Sequence, residues 1–214
     1  MQTRPDLAFD VSYWASHAGS ATKETFGQLN KLVRRAKENA DTTLIYRRVA
    51  KDWGDLRCYA FSDAGEGSRK SGLSQAGSLI LHGHHSGLDG AGISGNLLDS
   101  RSDKITRSCR SSFRAELEAM QASCDLLEAT CFQIEDLSRN MDPHTWLTSY
   151  GRKDDVRAII IDSKGLYTGL RNEKKPSPTG ERGRLPTWLL LRQTLAQMRI
   201  AVYWVNSAHE LADC

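Results

Sequence analysis

The sequence predicts an α/β fold built on one mixed sheet with flanking helices, and three observations lead there. Three short apolar segments joined by turns precede the first long helix and read as an antiparallel meander. The run Val156 to Ile161 is apolar and β-branched on consecutive positions, the signature of a central strand covered on both faces. Helical periodicity then separates that run from a last strand, Ile200 to Val205.

The elements follow in order. In residues 1–56, Phe26, Leu29, Val33 and Ala36 recur at helical spacing among Lys31, Arg34, Arg35 and Lys37. This is an amphipathic basic helix, read as a solvated face rather than a surface that follows phosphates. Leu44 to Val49 reads as a short edge strand. Arg57 to Phe61 is the first strand of the meander, ending at Asp63, and the turn-rich GEGSRKSG separates it from Leu73 to Leu81. Asn96 to Ser100 is the third strand. A helix over 111–130 carries the stripe Phe113, Leu117, Met120, Cys124, Leu127 and Cys131. After Asp142-Pro143 comes the covered strand, ending at Asp162, and Ser163-Lys164-Gly165 opens a short helix. A basic Pro/Gly-rich loop (174–184) leads to a helix marked by Trp188, Leu191, Leu195 and Met198, with Pro186 in its first turn. The final strand is followed by a helix start at Glu210.

Composition narrows the class. With 39% hydrophobic and 26% charged residues the chain reads as an ordinary globular protein. No apolar run approaches the roughly 20 residues of a membrane helix. The polar N-terminus has no signal-peptide core, so an intracellular, non-secreted protein is expected. A net charge of +3 is too mild to mark a nucleic-acid binder by itself. Cysteines number five, with no CxxC pair, and Cys58, Cys124 and Cys131 fall at apolar positions; they read as small buried hydrophobes in a reducing compartment. His82-Gly83-His84-His85 lies between the second and third strands with no Cys or acid at ligand spacing, and reads as a polar hairpin tip. Trp146, Trp188 and Trp204 sit at helix or strand spacing and read as core.

The acidic residues are placed more tellingly. Asp63 and Asp162 each end an apolar strand, and in an open α/β sheet sites gather at the carboxyl ends of strands. Glu116 lies three after Phe113 and four before Met120, facing the sheet beside the apolar stripe. A carboxylate there is costly unless it is paired or binds a metal. Glu118 projects away from the stripe and is expected to be solvated. Asp213, after the last strand, is the fourth candidate. Four carboxylates without imidazole or thiolate form a hard-cation environment suited to magnesium or manganese. Two such ions about 4 Å apart can activate water and stabilise the leaving oxygen in phosphodiester hydrolysis. Taken singly, a strand-end aspartate is as readily a helix cap, and Asp213 a surface charge.

These residues carry a resemblance. Phe61-Ser62-Asp63-Ala64, Ser74-Gln75-Ala76-Gly77, Cys109 to Glu116 (CRSSFRAE), Ile161-Asp162-Ser163, and Trp204-Val205-Asn206-Ser207 through Glu210-Leu211-Ala212-Asp213 occur in the order of the ribonuclease H domain of copia-type LTR retrotransposon Pol polyproteins, which they resemble over residues 57–214. The resemblance implies a ribonuclease H-like fold: a five-stranded mixed sheet, three antiparallel strands then two parallel, flanked by helices. It implies that Asp63, Glu116, Asp162 and Asp213 are catalytic and hold two Mg2+ (or Mn2+) ions. The activity implied is hydrolysis of the RNA strand of RNA/DNA hybrids during reverse transcription, beside an adjacent reverse transcriptase domain to which residues 1–56 are the tether. Ser74 and Gln75 are substrate contacts through the resemblance alone. Arg110, Ser111 and Ser112 join them as phosphate contacts at a helix N-terminus, where the serines also suit N-caps.

Three departures accompany it. Ser100 stands in the third strand where the family carries a tryptophan, Asn206 stands where a proline follows Trp-Val, and the sequence stops at Cys214 where the family continues through a helix. They imply a copy truncated at its C-terminus, with Asp213 near a frayed end. The alternative reading is therefore a catalytically inactive ribonuclease H-like module that binds nucleic acid or connects domains in a degenerate retroelement.

Overall fold

The computed structural model describes residues 4–65, 73–89, 92–109, 111–139, 157–171, 184–209 and 211–212. Strand β1 (Leu56–Gly65) is buried continuously from Cys58 to Asp63 because it has a neighbour on each side and packing on each face. It pairs antiparallel with β2 (Gln75–His84) and parallel with β4 (Arg157–Ile161). β3 (Gly95–Lys104) extends the antiparallel side and β5 (Ile200–Trp204) the parallel side, giving the order β3-β2-β1-β4-β5. This is the expected ribonuclease H-like sheet, with three antiparallel strands followed by two parallel ones. Serine in place of the third-strand tryptophan does not interrupt it, since Ser100 is buried and β3 pairs with β2 from Gly95 to Lys104.

Helix α3 (Ser112–Arg139) lies across β1 and β2. Its stripe of Leu117, Met120, Cys124, Leu127 and Cys131 is buried against Cys58, Ala60, Ile80, Ile159 and Ile161. The helix runs nine residues beyond its predicted end at 130, to Arg139, because Ile134 continues the stripe and Glu135 accepts from the buried Arg157 guanidinium at 3.0 Å. Burial pushes the Cys124 thiol far above its ordinary range, and none of the four described cysteines is in a disulfide. Among the described residues no helix is long and apolar enough to cross a membrane.

Helices α4 (Lys164–Arg171) and α5 (Arg184–Gln197) close the same face through Leu166, Trp188 and Leu191. Their approach is tight: a Cβ on Gly169 would come within 2.8 Å of the Trp188 ring. Gly169→Ala is therefore expected to lower the urea midpoint. Overpacking costs about 1–3 kcal/mol, which exceeds alanine's helix advantage of about 1 kcal/mol.

Near the N-terminus, α1 (Ala8–Ala15) packs on β3, and α2 (Lys23–Glu38) leans on α1. Helix α2 starts at a Thr22–Thr25 capping box. Its packed face is rotated from the predicted stripe: Thr25, Leu29, Leu32 and Ala36 are buried or half-buried, while Phe26 and Val33 are 59% and 49% exposed. The contact with α1 is narrow and includes the exposed pair of Arg35 and Asp10 at 3.1 Å. Lys31, Arg34 and Lys37 stay solvated.

The expected strand Leu44–Val49 does not form. Arg47 N–H donates to Asn96 Oδ1 (2.9 Å) and Asn96 Nδ2 donates to Arg47 O (2.8 Å). One side-chain amide thus satisfies both main-chain groups of Arg47, and no ladder grows from it. After β5 comes a 3-10 turn, Ser207–His209; the predicted helix start at Glu210 lies outside the described residues, as do Trp146 and nearly all of the loop 174–184.

Candidate active site

The register builds the site. The parallel ladder between β1 and β4 ends at Ser62 opposite Ile161, so Asp63 and Asp162 are the next residues on adjacent parallel strands. Asp63 lies inside β1, opposite Gly77 of β2, rather than after its end, because the antiparallel ladder continues beyond the parallel one. Glu116 is the fifth residue of α3, the helix that packs over β1. One carboxylate oxygen from each of Asp63, Glu116 and Asp162 lies within 4.8 Å of the other two. Three elements distant in sequence therefore deliver three carboxylates to one point, an arrangement in which a shared cation relieves their repulsion.

The strand-end segment after β5 braces Asp162. Ser207 Oγ donates to Asp162 Oδ2 at 2.6 Å, Trp204 Nε1 donates to Asp162 O at 2.7 Å, and Val205 N–H donates to Ile161 O at 3.0 Å. Trp204 is thus not core: its ring is 40% exposed on an edge strand, with Lys164 Nζ 5.6 Å from the ring centroid. Trp188, at 1% exposure, is the core tryptophan the spacing predicts. The roles of Ser207 and Trp204 escaped sequence reasoning, although both stand in the WVNS segment that carried the resemblance. Ser207→Ala frees one oxygen of Asp162 from its restraint. If Asp162 holds a metal, loss of such an outer contact typically costs 10–100-fold, and roughly tenfold weaker Mn2+ binding by calorimetric titration is expected of Ser207→Ala.

The other candidates are placed as follows. Ser111 Oγ accepts from Arg114 N–H at 3.3 Å, an N-cap role, and Ser112 is exposed at the head of α3. Ser74 and Gln75 are at 1% and 0% exposure; Gln75 Nε2 donates to Ser102 Oγ (2.8 Å) and reaches Ser12 Oγ (3.4 Å). Gln75 thereby ties β2 to β3 and α1 within the interior. Arg110 and Asp213 lie outside the described residues. Ala212, directly before Asp213, is buried with Tyr59, Phe61, Ala158 and Ile160. Glu118 is a correction: it is half-buried rather than solvated. It pairs with the buried Arg114, has Arg107 at 3.6 Å, and accepts from Thr187 Oγ1 at 3.3 Å. Arg114, for the same reason, is not a surface contact.

The donor set at the site is all oxygen, with no imidazole or thiol among the described residues that form it, so a hard divalent cation fits it. No family model matches the chain. Over 214 residues it is 22% identical to the Transposon Ty1-JR1 Gag-Pol polyprotein of Saccharomyces cerevisiae, covering 98% of this chain and 10% of that polyprotein. The chain is thus similar along nearly its whole length to a segment of a retrotransposon Gag-Pol polyprotein. The same identity extends over 98% of the chain and 16% of the truncated transposon Ty1-A Gag-Pol polyprotein, so the chain spans a small part of the curated polyproteins it matches. Among solved structures, the N-terminal RNase H domain of a Mycobacterium tuberculosis protein aligns at 17% identity and a TM-score of 0.46, over 72% of this chain and 86% of that one. RNase H1 of the halophilic archaeon Halobacterium salinarum aligns at 15% identity and a TM-score of 0.45, over 73% and 90%.

Proposed function

We propose that this chain is an endonuclease that hydrolyses the RNA strand of RNA/DNA hybrids, the nuclease step of reverse transcription in a copia-type retroelement. The observation that carries the reading is the convergence of Asp63, Glu116 and Asp162 within 4.8 Å at the carboxyl ends of two adjacent parallel strands. These three would hold magnesium or manganese, and Asp213, next to the docked Ala212, would be the fourth ligand. Two such ions, when bound, lower the pKa of an attacking water and stabilise charge on the phosphate and the leaving oxygen.

The chain's own residues supply position. Ser207 holds Oδ2 of Asp162, and the Trp204 indole holds its carbonyl, so that carboxylate is fixed before substrate arrives. The head of α3, with Ser112 exposed and Ser111 capping, presents a positive dipole end to a phosphate one helical turn from Glu116. Arg110 precedes it in sequence and would add charge there. A hybrid differs from duplex DNA by the 2′-hydroxyls of one strand, and these define the strand to be cut.

Strand selectivity tests the reading. With magnesium present, an RNA/DNA hybrid labelled on either strand is expected to yield fragments of the RNA only, and duplex DNA of the same sequence none. Equal cutting of both duplexes would contradict it and point to a nuclease that does not read ribose.

A further inference from the structure

A second donor cluster lies at the opposite end of β1. The antiparallel ladder ends with Leu56 opposite His84, and the 3-10 turns that flank it carry Asp55 and His85. One donor atom from each of Asp55, His84 and His85 lies within 4.8 Å of the other two. Asp55 and Asp63 are eight residues apart along an extended strand, about 26 Å at the usual rise, so this cluster is separate from the carboxylate site.

The side chains are already oriented. The two imidazoles stack with centroids 4.4 Å apart. His85 Nδ1 lies 3.3 Å from Asp55 O, and a hydrogen there directs the lone pair to Nε2. His84 Nδ1 accepts from Ser86 N–H at 3.2 Å and lies 2.8 Å from Ser86 Oγ, so the neutral ring carries its hydrogen on Nε2, and that hydrogen must leave before Nε2 binds a metal. A ring N–H held by a carbonyl, as at His85, is the usual outer support of a metal-ligating histidine. A hollow of about 420 Å³ opens beside the cluster, lined by residues 48–52 together with Asp55 and His84. Asp52 adds a second carboxylate to it. The Arg48 guanidinium is drawn off onto Ala50 O (3.0 Å) and Lys51 O (2.8 Å).

We propose that Asp55, His84 and His85 form a transition-metal site, with zinc as its ion. Two imidazoles and one carboxylate match the ligand preference of zinc, whereas magnesium and calcium prefer oxygen alone. Three protein donors leave a fourth position for water or Asp52. Metal there clasps segment 48–55, which has no regular ladder of its own before residue 53, to the end of the β2–β3 hairpin.

The experiment is calorimetric titration of Zn2+ into the full chain with excess Mg2+ present to occupy the carboxylate site. One equivalent of uptake is expected, retained in Asp63→Asn. His85→Ala, an exposed position whose loss leaves the fold intact, should weaken it more than 100-fold, and His84→Ala likewise. No zinc uptake overturns the proposal. So does uptake that survives both histidine variants, or that is lost only with Asp63→Asn.

Discussion

Glu116→Gln is expected to cut hybrid RNA at least about 1000-fold more slowly than the unmodified chain, since losing roughly 4 kcal/mol of transition-state stabilisation at a divalent-cation site is three tenfold steps. Hybrid affinity should be unchanged, because the substitution keeps the side chain's volume and alters no surface contact. A second effect has the opposite sign. Without metal, three carboxylates within 4.8 Å repel one another, and Glu116 Oε2 is shielded from solvent. Neutralising one of them in chelator should raise thermal stability by about 1 kcal/mol, or about 2–4 °C for a chain of this size. Single-turnover cleavage and a melting curve in chelator check the two halves. A variant both inactive and less stable would show that Glu116 is a packing residue. The trade of stability for activity is the signature of a functional cluster.

Glu118→Ala is expected to destabilise the fold by about 3 kcal/mol, because it strands the guanidinium of Arg114, whose side chain is 5% exposed. The double replacement Arg114→Met with Glu118→Ala should recover most of the loss, since removing both partners leaves no buried unpaired charge. Urea unfolding of the two variants checks this, and a double variant no more stable than the single one would contradict the pairing argument. Arg107, 67% exposed and 3.6 Å from Glu118, contributes little in comparison.

The contrast between Glu116 and Glu118 shows what sequence order can convey. Glu116 was legible because a carboxylate beside an apolar stripe on a helix has few explanations. Glu118 was not, because its burial comes from Arg114 and from Thr187, a residue 69 positions away. Asp63 and Asp162 were legible from the apolar runs that lead into them, and the order of elements conveyed the mixed sheet. Which strands pair, and in which register, was not written locally. That register joins Asp55 to the histidines and Asp162 to Asp63. Gln75 carried no signal of burial, since its partners Ser102 and Ser12 arrive from another strand and another helix. Leu44–Val49 has strand composition, yet the structure there is set by one asparagine. The brace on Asp162 is likewise a product of folding, because Ser207 lies 45 residues from the carboxylate it restrains.

The most direct test of the central claim is cleavage of a strand-labelled RNA/DNA hybrid by the unmodified chain and by Asp63→Asn, each with Mg2+, with Mn2+ and with chelator. The account predicts cutting of the RNA strand that needs the metal and disappears with Asp63→Asn. Hybrid binding without cutting in either metal would contradict it, and would make this chain a non-catalytic nucleic-acid-binding module.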